Sequence, residues 1–236
     1  MKNGDVYLGR ANIKQQGWMI EQAIIVTLLI AVLSLICVTL TTAQGVRYYA
    51  GYTFYGYEGT SPPYGVSARI YTINKNVPTG HFYAQWPTII LSYVYGFWVQ
   101  VGYTKGWDTN YQLTWYAEKN DWNGWEIHWI GTPSVGATYN YWIERYENSD
   151  VWVGGVSGYW IWDFGTLNPN TAVDYQAFSE TTTTGINIDG TRFSNLCILS
   201  YNGIDWIPWF RHVPKHDPPY WLTQVSDCEF YAWGGG

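Results

Sequence analysis

The sequence predicts an all-β fold, an antiparallel β-sandwich preceded by one N-terminal transmembrane helix. Three observations carry that expectation. From Tyr48 onward no stretch sustains a helical period, and short segments rich in Tyr, Trp, Val, Ile and Thr recur between Gly, Asn, Asp and Pro. Residues 23–40 run for eighteen residues without a charge. No internal repeat is visible, which disfavours a propeller or a solenoid.

Strands are expected at 67–73, 89–94, 96–103, 111–118, 125–130, 138–146, 150–154, 158–163, 173–179, 183–188 and 195–201. Several alternate cleanly: in Tyr139-Asn140-Tyr141-Trp142-Ile143-Glu144-Arg145-Tyr146 odd and even positions face opposite sides of a sheet. Turn signals such as Trp122-Asn123-Gly124, Asn148-Ser149-Asp150 and Asp189-Gly190 fall between them. Many short strands, with no helices to cover parallel crossovers, argue for an antiparallel sandwich. The tail, 203–236, is rich in Pro and Trp and ends in three glycines, so it reads as an irregular strap over the sandwich. The plan is a cytoplasmic leader over 1–17, a transmembrane anchor or signal segment over 18–44, the sandwich over 45–202 and the strap over 203–236.

At about 1.5 Å per residue the 23–40 segment reaches roughly 27 Å, close to the hydrocarbon thickness of a bilayer. Trp18 stands at one end, and Tyr48 and Tyr49 lie just past the other, where interfacial aromatics belong. Lys2, Arg10 and Lys14 precede the span, which favours the N-terminus inside and the bulk of the chain outside. The expected location is the cell membrane, single-pass, with the main domain extracellular. Three fates fit the segment: a retained signal anchor, a signal peptide cut after Thr41-Thr42-Ala43, or a leader like that of type IV pilins at Gly17-Trp18-Met19-Ile20-Glu21.

Composition narrows the partners. Charged residues make up 13% of the chain, against roughly 25% in ordinary soluble domains, while aromatics reach 19%. From residue 45 onward 9 basic and 16 acidic residues leave a net −7 with no basic stripe, which argues against nucleic acid. Metal chemistry finds little support. His81, His128, His212 and His216 are scattered, and the one ligand-like spacing, His212-Val213-Pro214-Lys215-His216, holds a proline that breaks a helix. No phosphate loop, dinucleotide fingerprint or Gly-x-Ser-x-Gly elbow occurs, so no cofactor is expected. Cys37 lies in the span; Cys197 and Cys228 are the other cysteines, and in an oxidising compartment a disulfide between them would tie the strap down.

What remains is a carboxamide and its carboxyls. Phe97-Trp98-Val99-Gln100-Val101-Gly102-Tyr103 is followed by Tyr111-Gln112-Leu113-Thr114-Trp115-Tyr116-Ala117-Glu118, and later by Ala177-Phe178-Ser179-Glu180-Thr181. Gln100 and Tyr111 are eleven residues apart, Gln100 and Glu180 eighty. In this order and spacing the chain, over roughly residues 85–200, resembles the glutamic peptidases of the eqolisin type. The resemblance implies a jelly-roll or concanavalin-like sandwich and water-mediated hydrolysis of a polypeptide substrate at acid pH without a metal. It gives Gln100 and Glu180 the catalytic roles, puts Trp115 in the lining of the cleft and makes Glu118 a supporting carboxylate. Four threonines follow Glu180 where that family carries an aromatic or aliphatic run.

Two other readings stand beside it. A surface subunit, such as a pilin-like filament, coat or adhesin protein, would bury its surplus Trp and Tyr between copies in a homo-oligomer. A carbohydrate-binding sandwich would use the same rings to stack on sugars.

Overall fold

The computed structural model describes residues 45–55, 64–146, 149–169, 171–200 and 202–236. Among them fifteen strands form two antiparallel layers, as the alternating segments predict. β1 (Tyr48–Tyr55), β3 (Phe82–Ser92), β4 (Phe97–Gly106), β5 (Thr114–Asp121), β6 (Gly124–Gly131), β10 (Asp174–Thr181) and β13 (Val213–His216) make one sheet, in the order β13-β1-β10-β3-β4-β5-β6. The second sheet uses β2 (Gly65–Tyr71), β7 (Thr138–Arg145), β8 (Val151–Val156), β9 (Trp160–Thr166), β11 (Thr191–Leu199), β14 (Trp221–Ser226) and β15 (Glu229–Trp233). Its order is β14-β15-β11-β2-β7-β8-β9, and β12 (Trp206–Pro208) pairs with β11.

The core lies between the sheets and is largely aromatic. Tyr52, Phe54, Tyr83, Tyr103, Trp115, Tyr141, Phe193 and Phe230 all bury their rings there. Alternation decides which side chains enter it. On β4, Val99, Val101 and Tyr103 point inward, so Gln100 and Gly102 point outward; on β5, Trp115 and Ala117 point inward, so Tyr116 and Glu118 point outward.

Three expectations need correction. The segment 183–188 is not a strand but a turn region, in which Tyr220 Oη donates to the Thr183 and Ile186 carbonyls. β3 begins at Phe82, well before the expected start at 89, because Pro87 interrupts the apparent strand pattern. The proline is accommodated opposite Ala177, while the ladder to β4 steps from Gln85↔Tyr103 to Thr88↔Gln100. The tail is not an irregular strap: it carries β12 to β15 and supplies an edge strand to each sheet.

Trp209 shows why the tail stays down. Its amide donates to the Leu196 carbonyl at 2.9 Å, and its ring is buried 5.8 Å from Phe54. Cys197 and Cys228 also meet at this seam, where Leu196 N donates to Cys228 O at 3.0 Å. Both are free thiols here, so the expected bridge is not formed. The β11–β15 ladder ends at Phe193, and a bulge between Ser194 and Cys197 interrupts the pairing of β11 with β2. Tyr48 and Tyr49 open β1 and pack on Tyr220 and Phe178. Residues 23–40 lie outside the described residues; among those described, no helix is long and apolar enough to cross a membrane.

Two substitutions test this packing. Trp209→Ala removes a fully buried indole and is expected to cost about 3–5 kcal/mol, read by denaturant unfolding. Gly102 lies against β3, and a Cβ there would stand 2.3 Å from Gln85 O and 2.9 Å from Trp86 Cβ. Gly102→Ala is expected to destabilise by about 1–3 kcal/mol, lowering Tm by roughly 2–12 °C.

Candidate active site

The outward face of the seven-stranded sheet is not a plain solvated surface. Ala84, Trp86, Tyr116 and Phe178 bury one another there, with Tyr49, Phe82 and Ile127 around them. Register lines them up: Phe178 pairs with Trp86 across β10 and β3, and Gly102 pairs with Tyr116 across β4 and β5. The missing side chain at Gly102 leaves room for Trp86 to lie over the sheet. This aromatic strip strips water from its polar neighbours on both sides.

On one side lie Gln100 and Glu118, direct partners across β4 and β5. Gln100 is buried, and its Nε2 donates to Tyr116 Oη at 2.5 Å and to Glu118 Oε1 at 2.9 Å. Trp125 Nε1 donates to Glu118 Oε2 at 3.0 Å. Loss of water pushes the Glu118 carboxyl up to about 8 from its ordinary 4.5; the Trp125 N–H opposes the shift and the Glu180 charge adds to it.

On the other side lies Glu180, whose side chain is buried on β10. Arg47 Nη1 donates to its Oε1 at 2.5 Å and Trp86 Nε1 to its Oε2 at 2.9 Å. Arg47 reaches it because Tyr49 is paired with Glu180, and Arg47, just before β1 and two positions from Tyr49, continues on the same side. Burial raises the Glu180 pKa, while the Arg47 charge and the Trp86 hydrogen bond act against it. A cleft of ≈ 500 Å³ opens beside this end, between the Tyr49 and Phe178 rings and the β13 edge at Pro214–Asp217.

The expected residues therefore divide. Gln100, Glu118 and Glu180 share one face, but Gln100 contacts Glu118 and not Glu180. Gln100 is in register with Thr88 and, through it, with Gln176, whereas Glu180 lies four positions along β10 from Gln176. The backbones at Gln100 and Glu180 are thus offset by about 13 Å along the strands and about 10 Å across them. Trp115, expected in the cleft lining, is in the core, where its Nε1 donates to Tyr141 Oη at 3.1 Å. It and Glu118 stand at positions of opposite parity on β5, and Tyr116 takes the outward place instead. Arg47, Trp86, Tyr116 and Trp125 were not singled out by the sequence; only register brings them to the carboxyls. Among the described residues no group of three or more His, Cys, Asp or Glu lies together as a metal site.

Glu118 leaves a mark on stability. The folded chain holds its proton up to about 8, whereas the unfolded chain releases it near 4.5. Between those values the folded state binds more protons, so stability falls as pH rises. Glu118→Gln removes that dependence: the variant is expected to match the parent near pH 4 and to exceed it by roughly 2–4 kcal/mol near pH 8 in denaturant titrations.

No family model matches the chain, and no curated protein matches it significantly. Solved structures do match. Scytalido-glutamic peptidase with a peptide-based transition-state analogue is 11% identical, with 81% of this chain and 100% of that chain covered and a TM-score of 0.57. SCP-B, a member of the eqolisin family of peptidases in complex with the tripeptide Ala-Ile-His, is 10% identical over the same shares, with a TM-score of 0.54. At such identity the likeness is one of fold: the chain has the two-sheet architecture of the eqolisin peptidases.

Proposed function

We propose that this chain is a metal-independent endopeptidase, active in the acid range, that hydrolyses polypeptides laid across the outward face of its seven-stranded sheet. One observation carries the reading: a buried carboxamide and two carboxyls with raised pKa values share that face, in a fold found in glutamic peptidases. Following the resemblance, Glu180 is both general acid and general base for the attacking water. The resemblance gives Gln100 the task of positioning that water and stabilising the tetrahedral oxyanion; its N–H groups are held by Tyr116 and Glu118, so a substrate has to displace one of them. An amide suits this task because it donates hydrogen bonds without adding a charge that would hold nearby carboxyls ionised. The peptide complexes of the neighbours support a polypeptide as substrate. The charge-free segment 23–40 supports a single-pass anchor with the sandwich on the outer side of the membrane.

The test is hydrolysis of an unfolded protein by the full chain from roughly pH 2 to 8, beside Glu180→Gln and Gln100→Ala. Cleavage confined to the acid side and reduced about 100-fold or more in both variants is the expected result. A folded parent protein without cleavage would remove the peptidase reading and favour a surface subunit.

A further inference from the structure

We infer that Arg47 is a positioning residue for the reaction: its guanidinium holds the Glu180 carboxylate charged and in one orientation, and so sets how far into acid the site works. The inference rests on the peptidase reading and adds a cation to a site that the resemblance describes by a carboxamide and a carboxyl alone. Its basis is contact. Arg47 Nη1 donates to Glu180 Oε1 at 2.5 Å, and Trp86 Nε1 donates to Oε2 at 2.9 Å. One donor comes from the β1 side of β10 and the other from β3, so the carboxylate is gripped across its strand. Each oxygen accepts one donor and keeps a second lone pair for a proton.

A carboxylate buried as fully as Glu180 loses much of the water that would stabilise its charge. Arg47 is placed to make up that loss. Glu180 is faced by Arg47 and Tyr49 from the β1 side, by Trp86 from β3, and by Tyr116 and Glu118 from β5. Burial pushes Tyr49 up to about 12 and Glu118 up to about 8, and holds Tyr116 well above its ordinary value. All three are therefore neutral in the acid range. Asp217, beyond β13, is turned to the Tyr49 amide at 2.9 Å. Among the described residues Arg47 is the one charged group in contact with Glu180 there. It lies half-exposed, with its guanidinium 5.6 Å from the centre of the Phe82 ring. The cation thus stands at the carboxyl that must ionise, whereas the neutral Gln100 amide leaves Glu118 protonated.

One carboxyl makes both proton transfers. Glu180 takes a proton from water as the water oxygen bonds to the carbonyl carbon, and the C=O π pair moves onto the carbonyl oxygen. It then gives the same proton to the amide nitrogen. The C–N bond breaks with its electron pair left on nitrogen, and the oxyanion re-forms the carbonyl. A carboxylic acid and an amine leave, and Glu180 is again a carboxylate. A guanidinium stabilises that charged form at the start and at the end. It extends the base to lower pH and makes the protonated carboxyl the readier donor.

The experiment follows kcat/KM on an unfolded protein from roughly pH 2 to 8 for the full-length parent, Arg47→Gln and Arg47→Lys. Carbon NMR of glutamate carboxyls reads the Glu180 titration in the same three proteins, whether or not they cleave. Arg47 precedes β1 and is half-exposed, so neither substitution touches the core. Arg47→Gln is expected to move the acid limb and the Glu180 titration upward together by about 1–3 pH units. kcat/KM then falls about 10-fold or more at the acid end and less than about 3-fold on the plateau. Arg47→Lys, which keeps the charge, is expected to recover most of the shift. An unmoved limb and an unmoved titration, with or without a loss of rate, show a structural contact alone and overturn the inference. A parent that cleaves leaves the peptidase reading intact in that case. A Glu180 titration that moves without the limb removes both Arg47 and Glu180 from the chemistry. A folded parent that cleaves nothing removes the peptidase reading, and this inference with it.

Discussion

A slip of one residue between β3 and β4 would turn Gln100 into the core and push Val99 and Val101 out. The register shared by β10, β3, β4 and β5 is therefore the constraint on which the outward face depends. The apolar inner set holds that register: Val99, Val101, Tyr103 and Ala117 are fully buried between the layers. Once they are fixed, the amide and the carboxyls have no choice of side.

Register alone would leave the carboxyls in water at ordinary acidity. The aromatic strip on the same face changes their chemistry. Trp86 and Tyr116 cover the sheet between the two acidic sites, and each also makes a polar contact, Trp86 to Glu180 and Tyr116 to Gln100. The same rings thus remove solvent and supply hydrogen bonds in its place, which is the arrangement that makes charge placement matter in a low-dielectric site.

The sandwich was legible because its middle strands alternate and its turns carry their usual residues, as in Thr138–Arg145 and the Asp121-Trp122-Asn123-Gly124 turn. β1 was hidden by its closeness to the apolar N-terminal segment, and β3 by Pro87. The tail strands were hidden because their identity as strands rests on distant partners rather than on local pattern. Gln100 and Glu180, picked out by their spacing, lie on one face but four positions out of register. The Gln100–Glu118 contact was not legible, since it depends on how residues 107–113 turn the chain back. That connection includes Asn110 and Tyr111, both at positive φ, a conformation the sequence does not announce.

The last strands to be made complete both layers: β13 lies against β1, the first strand of the sandwich, and β15 covers β11. A chain synthesised N-terminus first holds β1 with one bare edge until residues 213–216 have emerged. Such long-range closure makes folding a late, largely post-synthetic event. Any assembly line for this protein must shield that unpaired backbone from neighbouring copies in the interval.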